Sequence, residues 1–167
     1  MSATDFTIRY ATEADLPEIV SIYNSTIPSR NVTADLEPVT VESRMDWFAN
    51  HTPDKHPIWV AIKDEKLIAW ASLSAFYGRP AYAGTAEFSI YVAEAARGTG
   101  IGKMLLEHVM QQCPQLGINN LLGFVFGLNE PSLALLRKYG FTQYGHLPEV
   151  AVLDGIKRDL VILGKQL

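Results

Sequence analysis

The sequence predicts a mixed α/β domain built on one central sheet, its elements following in the order β, α, α, β, β, β, α, β, α, β, β. Three observations carry that expectation. Segments of alternating polarity interleave with segments of helical periodicity along the chain. Two β-rich runs within residues 58–75 flank the tight turn Asp64-Glu65-Lys66, the pattern of a hairpin. A strand passes through a glycine-rich loop into an amphipathic helix over residues 86–113. At 167 residues the chain is the size of one domain, so a single unit spanning residues 1–167 is expected.

Each element has its own local reason. Phe6 to Tyr10 alternates apolar and polar residues and reads as the first strand. Thr12 followed by Asp15 is a hydroxyl cap with an acid in the first turn, and Leu16, Ile19, Val20, Tyr23 and Ile27 recur at helical spacing, predicting a helix over about 13–27. Residues 28–38 form a polar connection, and Val41 to Asn50 form a second helix ending before Pro53. The hairpin follows, then a strand over Ala86 to Val92 with Phe88, Ile90 and Val92 on one face and Glu87, Ser89 and Tyr91 on the other. In the helix over 101–113, Lys103, Glu107 and Gln111 share a polar stripe opposite Ile101, Leu105 and Val109. Leu121 to Phe126 is a buried strand, and Glu130-Pro131-Ser132 starts a helix that Gly140 stops. Phe141 to Tyr144 and Leu160 to Leu163 close the sheet.

Composition removes several classes of function. A net charge of −4 argues against sequence-blind binding of nucleic acid or of an anionic membrane. Cys113 is the single cysteine, so neither an internal disulfide nor a cysteine zinc cage can form. No apolar run approaches the ~20 residues of a membrane helix, and the start Met1-Ser2-Ala3-Thr4-Asp5 has no basic leader pattern. The expectation is a cytoplasmic domain with no metal.

The chemistry concentrates in Arg97-Gly98-Thr99-Gly100-Ile101-Gly102-Lys103. Glycines at alternate positions let the main chain approach a ligand closely. The free N–H groups that open the next helix favour an anion, and Arg97 adds a fork of donors suited to phosphate. A pyrophosphate cradle is one reading; a plain strand-to-helix turn is the other. A P-loop needs four residues between its first glycine and Gly-Lys, whereas Gly98 to Gly102 leaves three, and Met104 stands where a magnesium-binding hydroxyl belongs. The dinucleotide pattern Gly-x-Gly-x-x-Gly is absent as well.

The pattern Arg-x-x-Gly-x-Gly, carried by Arg97, Gly100 and Gly102, resembles the GNAT superfamily of acetyl-CoA-dependent N-acetyltransferases. That resemblance implies a mostly antiparallel sheet flanked by helices on both faces. It implies that Arg97, Gly98, Thr99, Gly100, Ile101, Gly102 and Lys103 wrap the pyrophosphate of acetyl-CoA, and that the backbone of Ile90, Tyr91 and Val92 pairs with its pantetheine arm. Asn129 and Ser132 match further cofactor-side positions. Ile22-Tyr23-Asn24, Arg79-Pro80-Ala81-Tyr82, Thr85 to Val92, and the late run Gly145-His146-Leu147-Pro148-Glu149-Val150 with Gly155 and Asp159-Leu160 are similar to the phosphinothricin and methionine sulfoximine acetyltransferase branch. The branch implies a homodimer and a small-molecule amine acceptor of the amino-acid type, held by Tyr23, Asn24, Phe76, Arg79 and Tyr82.

An ammonium cannot attack a thioester, so the amine must lose a proton. Glu87 is the candidate base, acting through a water; its alternative is a surface carboxylate paired with a lysine or arginine. Main-chain N–H groups near Val92 would hold the developing oxyanion. Leu136 stands where many relatives place a Tyr or His that protonates the leaving thiolate, leaving Tyr139 or water as substitutes. Near the acceptor, Tyr77 and Ala83 replace the branch's basic residues, and Ala151 to Gly155 replaces a Gly-Phe-Lys-Phe-Gly pattern. Each missing charged hydrogen bond weakens an anion by about 1.5–3 kcal/mol, so the expected acceptor is less anionic than phosphinothricin. Polyamines, protein N-termini, and a coenzyme A-binding sensor without turnover are the rival readings. His108 and Cys113 read as packed side chains, His51 and His56 as loop residues, and His146 as a possible pocket wall. Trp47-Phe48 reads as core or acceptor rim, and Phe76-Tyr77 as rim.

Overall fold

The computed structural model describes residues 5–167. The leader question posed by Met1 to Thr4 lies outside the described residues. Among them, no helix is long and apolar enough to cross a membrane.

The elements are β1 (Thr7–Tyr10), α1 (Leu16–Thr26), α2 (Met45–Ala49), β2 (Ile58–Lys63), β3 (Lys66–Ala75), β4 (Thr85–Val92), α3 (Ile101–Gln112), β5 (Asn120–Phe126), α4 (Glu130–Lys138), β6 (Thr142–Leu153) and β7 (Ile156–Gln166). They build one seven-stranded sheet in the order β1-β2-β3-β4-β5-β7-β6. Every neighbouring pair is antiparallel except β4 and β5. The order along the chain and the mostly antiparallel pairing are those expected.

The central strands are covered on both faces, which is why β2 and β3 read as nearly continuous apolar runs. On one face Trp59, Ala69, Ala71, Leu73 and Phe88 pack against Leu105, Leu106 and Val109 of α3 and Leu133 and Leu136 of α4. On the other face Ile58, Val60 and Trp70 pack against Leu16, Ile19, Val20 and Tyr23 of α1. Leu105 is fully buried, and Leu105→Ala should lower stability by about 2–5 kcal/mol in chemical denaturation, through lost burial and a residual cavity.

Local chemistry sets the boundaries. The β2–β3 turn places Asp64 and Glu65 at φ 50° and 62°, the twist that a two-residue hairpin needs. The predicted helix over 13–27 resolves into a 3₁₀ turn at Glu13–Asp15, α1 itself, and a 3₁₀ turn at Ile27–Ser29. Its start is held by the Asp15 carboxylate, which accepts the Thr12 N–H at 2.8 Å and a bidentate contact from Arg9. The second helix is shorter than expected, a 3₁₀ turn at Glu42–Arg44 running into α2.

The last two strands are much longer than the sequence predicts. β6 lies at the sheet edge with nearly all its residues exposed, so it carries no alternation of burial to read. Its pairing with β7 jumps from Leu147↔Leu160 to Ala151↔Arg158, which accommodates Pro148 in a bulge with Glu149 at φ 54°. Asp159 staples the bulge: it accepts the Glu149 N–H at 2.9 Å and pairs with His146 Nε2 at 2.7 Å. Those two contacts hold its carboxyl below the usual range. His146 therefore belongs to this staple. His108 lies edge-on to Trp59 at 5.3 Å, and burial of Cys113 pushes its thiol up to about 11, so both are packing groups.

Candidate active site

β4 and β5 pair only through Thr85↔Asn120, Ala86↔Leu121 and Glu87↔Leu122, and then diverge. β4 stays paired to β3 as far as Val92↔Ala69, so the gap opens on its β5 side alone. Divergence begins where Phe88 and Leu136 press onto Gly123: a Cβ there would lie 3.0 Å from Phe88 and 3.1 Å from Leu136. The result is a cleft of about 580 Å³ whose walls include Ile90, Tyr91 and Val92 on one side and Gly123 to Phe126 on the other. Gly102, Asn129 and Ser132 line its far end.

The glycine loop sits at that end, between β4 and α3. Gly98 and Gly100 take φ 77° and 86°, and open space surrounds the place where a Cβ would stand on each. Gly102 lies in the first turn of α3, and an added Cβ would meet only Val92, at an ordinary 3.6 Å. Met104 N–H is the first to bond back, to Gly100 O at 3.1 Å, so the amides of Ile101, Gly102 and Lys103 precede the helical ladder. A flexible main chain and orphan donors at a helix N-terminus, joined to a cleft flanked by unpaired strand, fit a long cofactor with a diphosphate. Arg97 and Lys103 are exposed beside the loop, Thr99 donates its hydroxyl to Ala96 O at 2.6 Å, and Ile101 is buried in the core, leaving its backbone as the available contact. Asn129 caps α4 by accepting the Ser132 N–H at 3.4 Å and donates to Asn31 O at 3.3 Å.

Glu87 is the last residue of β4 paired to β5, directly opposite Ser74 of β3, and its side chain lines the cleft. It is half-buried and has no salt bridge among the described residues. Burial raises its pKa above the ordinary carboxylate range. The surface ion pair is therefore not what this side chain forms.

A second cavity, of about 140 Å³, lies on the α1 and α2 side of the sheet. Tyr23, Trp47, Trp70 and Tyr91 wall it, with Arg44 and the hydroxyls of Ser72, Ser74 and Ser89. Tyr23 meets Tyr91 edge-on at 5.1 Å, Tyr91 lies 4.7 Å from Trp70, and Trp70 meets Trp47 edge-on at 5.5 Å. Tyr23 donates its hydroxyl to Asp35, and burial raises its pKa. His51 joins this wall from behind through Ser74 Oγ at 3.2 Å and Trp47 O at 2.7 Å, and burial lowers its pKa. Ser89 and Tyr91 belong to both cavities, so the two meet across β4.

Of the expected acceptor contacts, Tyr23 lines this pocket. Asn24 is placed elsewhere: its amide donates to Val39 O and accepts Val39 N–H, both at 2.9 Å, pinning the connecting loop to α1. Phe76, Tyr77 and Tyr82 cluster with ring centroids 5.7–5.9 Å apart, beside Arg79, in the segment joining β3 to β4. They line neither cavity but stand at the Glu87 end of the sheet. Leu136 is buried in the cleft wall, and Tyr139 turns away to donate to Glu107, so Tyr139 is not the substitute proton donor. Arg44, Trp70, Ser72 and Ser74 escaped the sequence reading, and Ser89 was placed on the Glu87 face without a role. Trp70 and the serines alternate along β3 and β4 and share a face with Glu87, a signal present in the sequence; Arg44 carried none.

Comparison with known proteins agrees with this geometry. Residues 17–141 match the Acetyltransferase (GNAT) family. A Bacillus subtilis protein, YwnH, provisionally named a phosphinothricin acetyltransferase, is 52% identical over 96% of this chain and 99% of its own. An L-methionine sulfoximine/L-methionine sulfone acetyltransferase of Pseudomonas aeruginosa is 30% identical over 93% of this chain and 91% of its own. The crystal structure of a Sinorhizobium meliloti phosphinothricin acetyltransferase in complex with AcCoA superposes with a TM-score of 0.91 at 31% identity, covering 98% of this chain and 89% of that one. The chain belongs to the GNAT acetyltransferase family. It is an N-acetyltransferase, and acetyl-CoA is its acyl donor.

Proposed function

We propose that this enzyme acetylates the primary amine of a small amino acid of the methionine sulfone, methionine sulfoximine or phosphinothricin type. The observation that carries this reading is the meeting of the two cavities at Ser89 and Tyr91, beside Glu87. A long cleft on one side suits the cofactor, and a pocket of about 140 Å³ on the other suits a small acceptor rather than a polyamine chain or a peptide. The named activities of the relatives support the same acceptor class.

Bound acetyl-CoA supplies a thioester whose acyl carbon is open to attack by an amine. The amides of residues 98–103 hold its diphosphate, with Arg97 and Lys103 as neighbouring charges, and the unpaired edge of Ile90, Tyr91 and Val92 aligns its arm. Glu87 takes the ammonium proton through a water, and the amides around Val92 receive the developing negative charge. Leu136 offers no proton to the thiol, whose pKa near ~8.5 makes it a tolerable leaving group unaided.

The test is release of free thiol from acetyl-CoA with a panel of amines. Acceptor-dependent release with methionine sulfone or phosphinothricin, and none with spermidine or a peptide, is the expected result. Cofactor binding without thiol release for any amine would overturn it in favour of a coenzyme A-binding sensor.

The same reading takes residues 1–167 as one catalytic domain working in the cytoplasm, without metal or nucleic acid, as a homodimer. Among the described residues no group of three or more His, Cys, Asp or Glu could hold a metal ion. The dimer is supported by the edge position of β6 and by Tyr144, Leu147, Val150, Val152 and Ile156, all exposed along β6 and β7. Replacing Leu147 and Val152 together by Asp should convert the dimer to a monomer in sedimentation equilibrium.

A further inference from the structure

We infer that Arg44 and the indole N–H of Trp70 form a receptor for an oxyanion of the acceptor, so that this pocket selects amines that also carry a carboxylate or phosphinate. The inference rests on the function proposed above and deepens it.

Arg44 is the one cationic side chain among the described residues lining either cavity. It reaches the pocket from the short turn before α2, and its guanidinium lies 4.8 Å from the Tyr23 ring centroid and 5.7 Å from that of Trp47. Those two aromatic faces, together with one hydrogen bond to Asp35 at 3.2 Å, hold the fork in place. A guanidinium carries five N–H donors, so one contact with Asp35 leaves others for a ligand. Asp35 is itself shared, since the hydroxyl of Tyr23 also donates to it.

Trp70 supplies the independent observation. It is 3% exposed, lines the same pocket, and its Nε1 has no hydrogen-bond partner among the described residues. A buried N–H without an acceptor is unfavourable in any fold, and the pocket that the Trp70 ring lines is the side from which a ligand oxygen would approach it. A protonated polyamine brings no such oxygen and would meet a guanidinium. An amino acid brings both the amine for Glu87 and the oxyanion for this end. The basic residues missing at positions 77 and 83 thus do not leave the acceptor side without positive charge, because Arg44 supplies it from the turn before α2.

The experiment measures steady-state acetylation of L-methionine sulfone, its carboxamide, and L-phosphinothricin, for the parent enzyme, Arg44→Gln and Trp70→Phe. For the parent, kcat/KM should favour methionine sulfone over its carboxamide by about 10–100-fold, the range of one charged hydrogen bond. Arg44→Gln should raise KM for methionine sulfone by about 10–100-fold, leave kcat within a few-fold, and abolish the preference over the carboxamide. Coenzyme A affinity by calorimetry should stay unchanged in both variants. A larger loss for phosphinothricin than for methionine sulfone in Arg44→Gln assigns the site to the side-chain phosphinate; equal losses assign it to the α-carboxylate. Trp70→Phe should raise the same KM by about 3–10-fold, which gives a second reading should Arg44→Gln fold poorly. A parent enzyme indifferent to carboxylate or carboxamide, joined to an Arg44→Gln variant that loses no more on phosphinothricin than on methionine sulfone, would overturn the anion receptor while leaving acetylation of amines intact. Absence of turnover with every acceptor would overturn both.

Discussion

Glu87→Gln should lower kcat by about 10²–10⁴ while leaving coenzyme A affinity nearly unchanged, because glutamine keeps the shape of the side chain and removes its ability to take a proton. The effect is expected to be this large because no other carboxylate lines either cavity among the described residues. The pH dependence carries the same signature. Burial raises the pKa of Glu87, and only its ionised form is a base, so the rate should fall as pH drops through that raised value. The acid limb of the parent should vanish in the glutamine variant. Stability runs the other way. A carboxyl whose folded pKa lies above its unfolded one binds its proton more tightly when folded, so the ionised form weakens the fold above that pKa. Glu87→Gln should therefore raise Tm at pH 8, with the gain shrinking as pH falls. Unchanged turnover together with a raised Tm would remove Glu87 from the chemistry and leave it a merely buried acid.

Gly102→Val separates ligand binding from folding. Gly98 and Gly100 sit at positive φ, so any substitution there strains the backbone whether or not a ligand binds. Gly102 is helical, and a Cβ on it would meet only Val92 at 3.6 Å. Valine is the better helix former by a few tenths of a kcal/mol, so the variant should fold at least as well as the parent. Its branched side chain would stand in the cleft where the diphosphate must reach the amides of the first helical turn. Coenzyme A affinity should fall by at least about tenfold, or about 1.4 kcal/mol, in calorimetry, with Tm of the free protein unchanged or higher. Native affinity in this variant would move the diphosphate away from the α3 N-terminus.

The parts of this molecule that the sequence made legible are those whose chemistry is local. Alternate glycines after a strand permit close approach of a main chain, whatever the rest of the fold does. Alternation along β4 put Glu87, Ser89 and Tyr91 on one face, and the structure keeps them there, along the wall where the two cavities meet. The two-residue turn at Asp64 and Glu65 was legible for the same reason. What went unread is instructive. β6 is an edge strand exposed on both sides, so its twelve residues show no period. Asn24 lies beside the acceptor pocket in sequence but is bound to Val39, a contact between a helix and a loop fifteen residues away. Tyr139 could stand in for a missing proton donor on paper, yet its hydroxyl faces Glu107 on α3.

By itself, then, the sequence determined the order of elements, the glycine loop before α3 and the carboxylate face of β4, because periodicity and glycine's missing Cβ act over neighbouring residues. Only the tertiary structure decided where β4 and β5 part, and that Arg44 and Trp70, twenty-six positions apart, close on one pocket. A cation and an orphaned indole become a receptor only when packing between α1, α2 and the sheet brings them to the same space, and no spacing along the chain encodes that meeting.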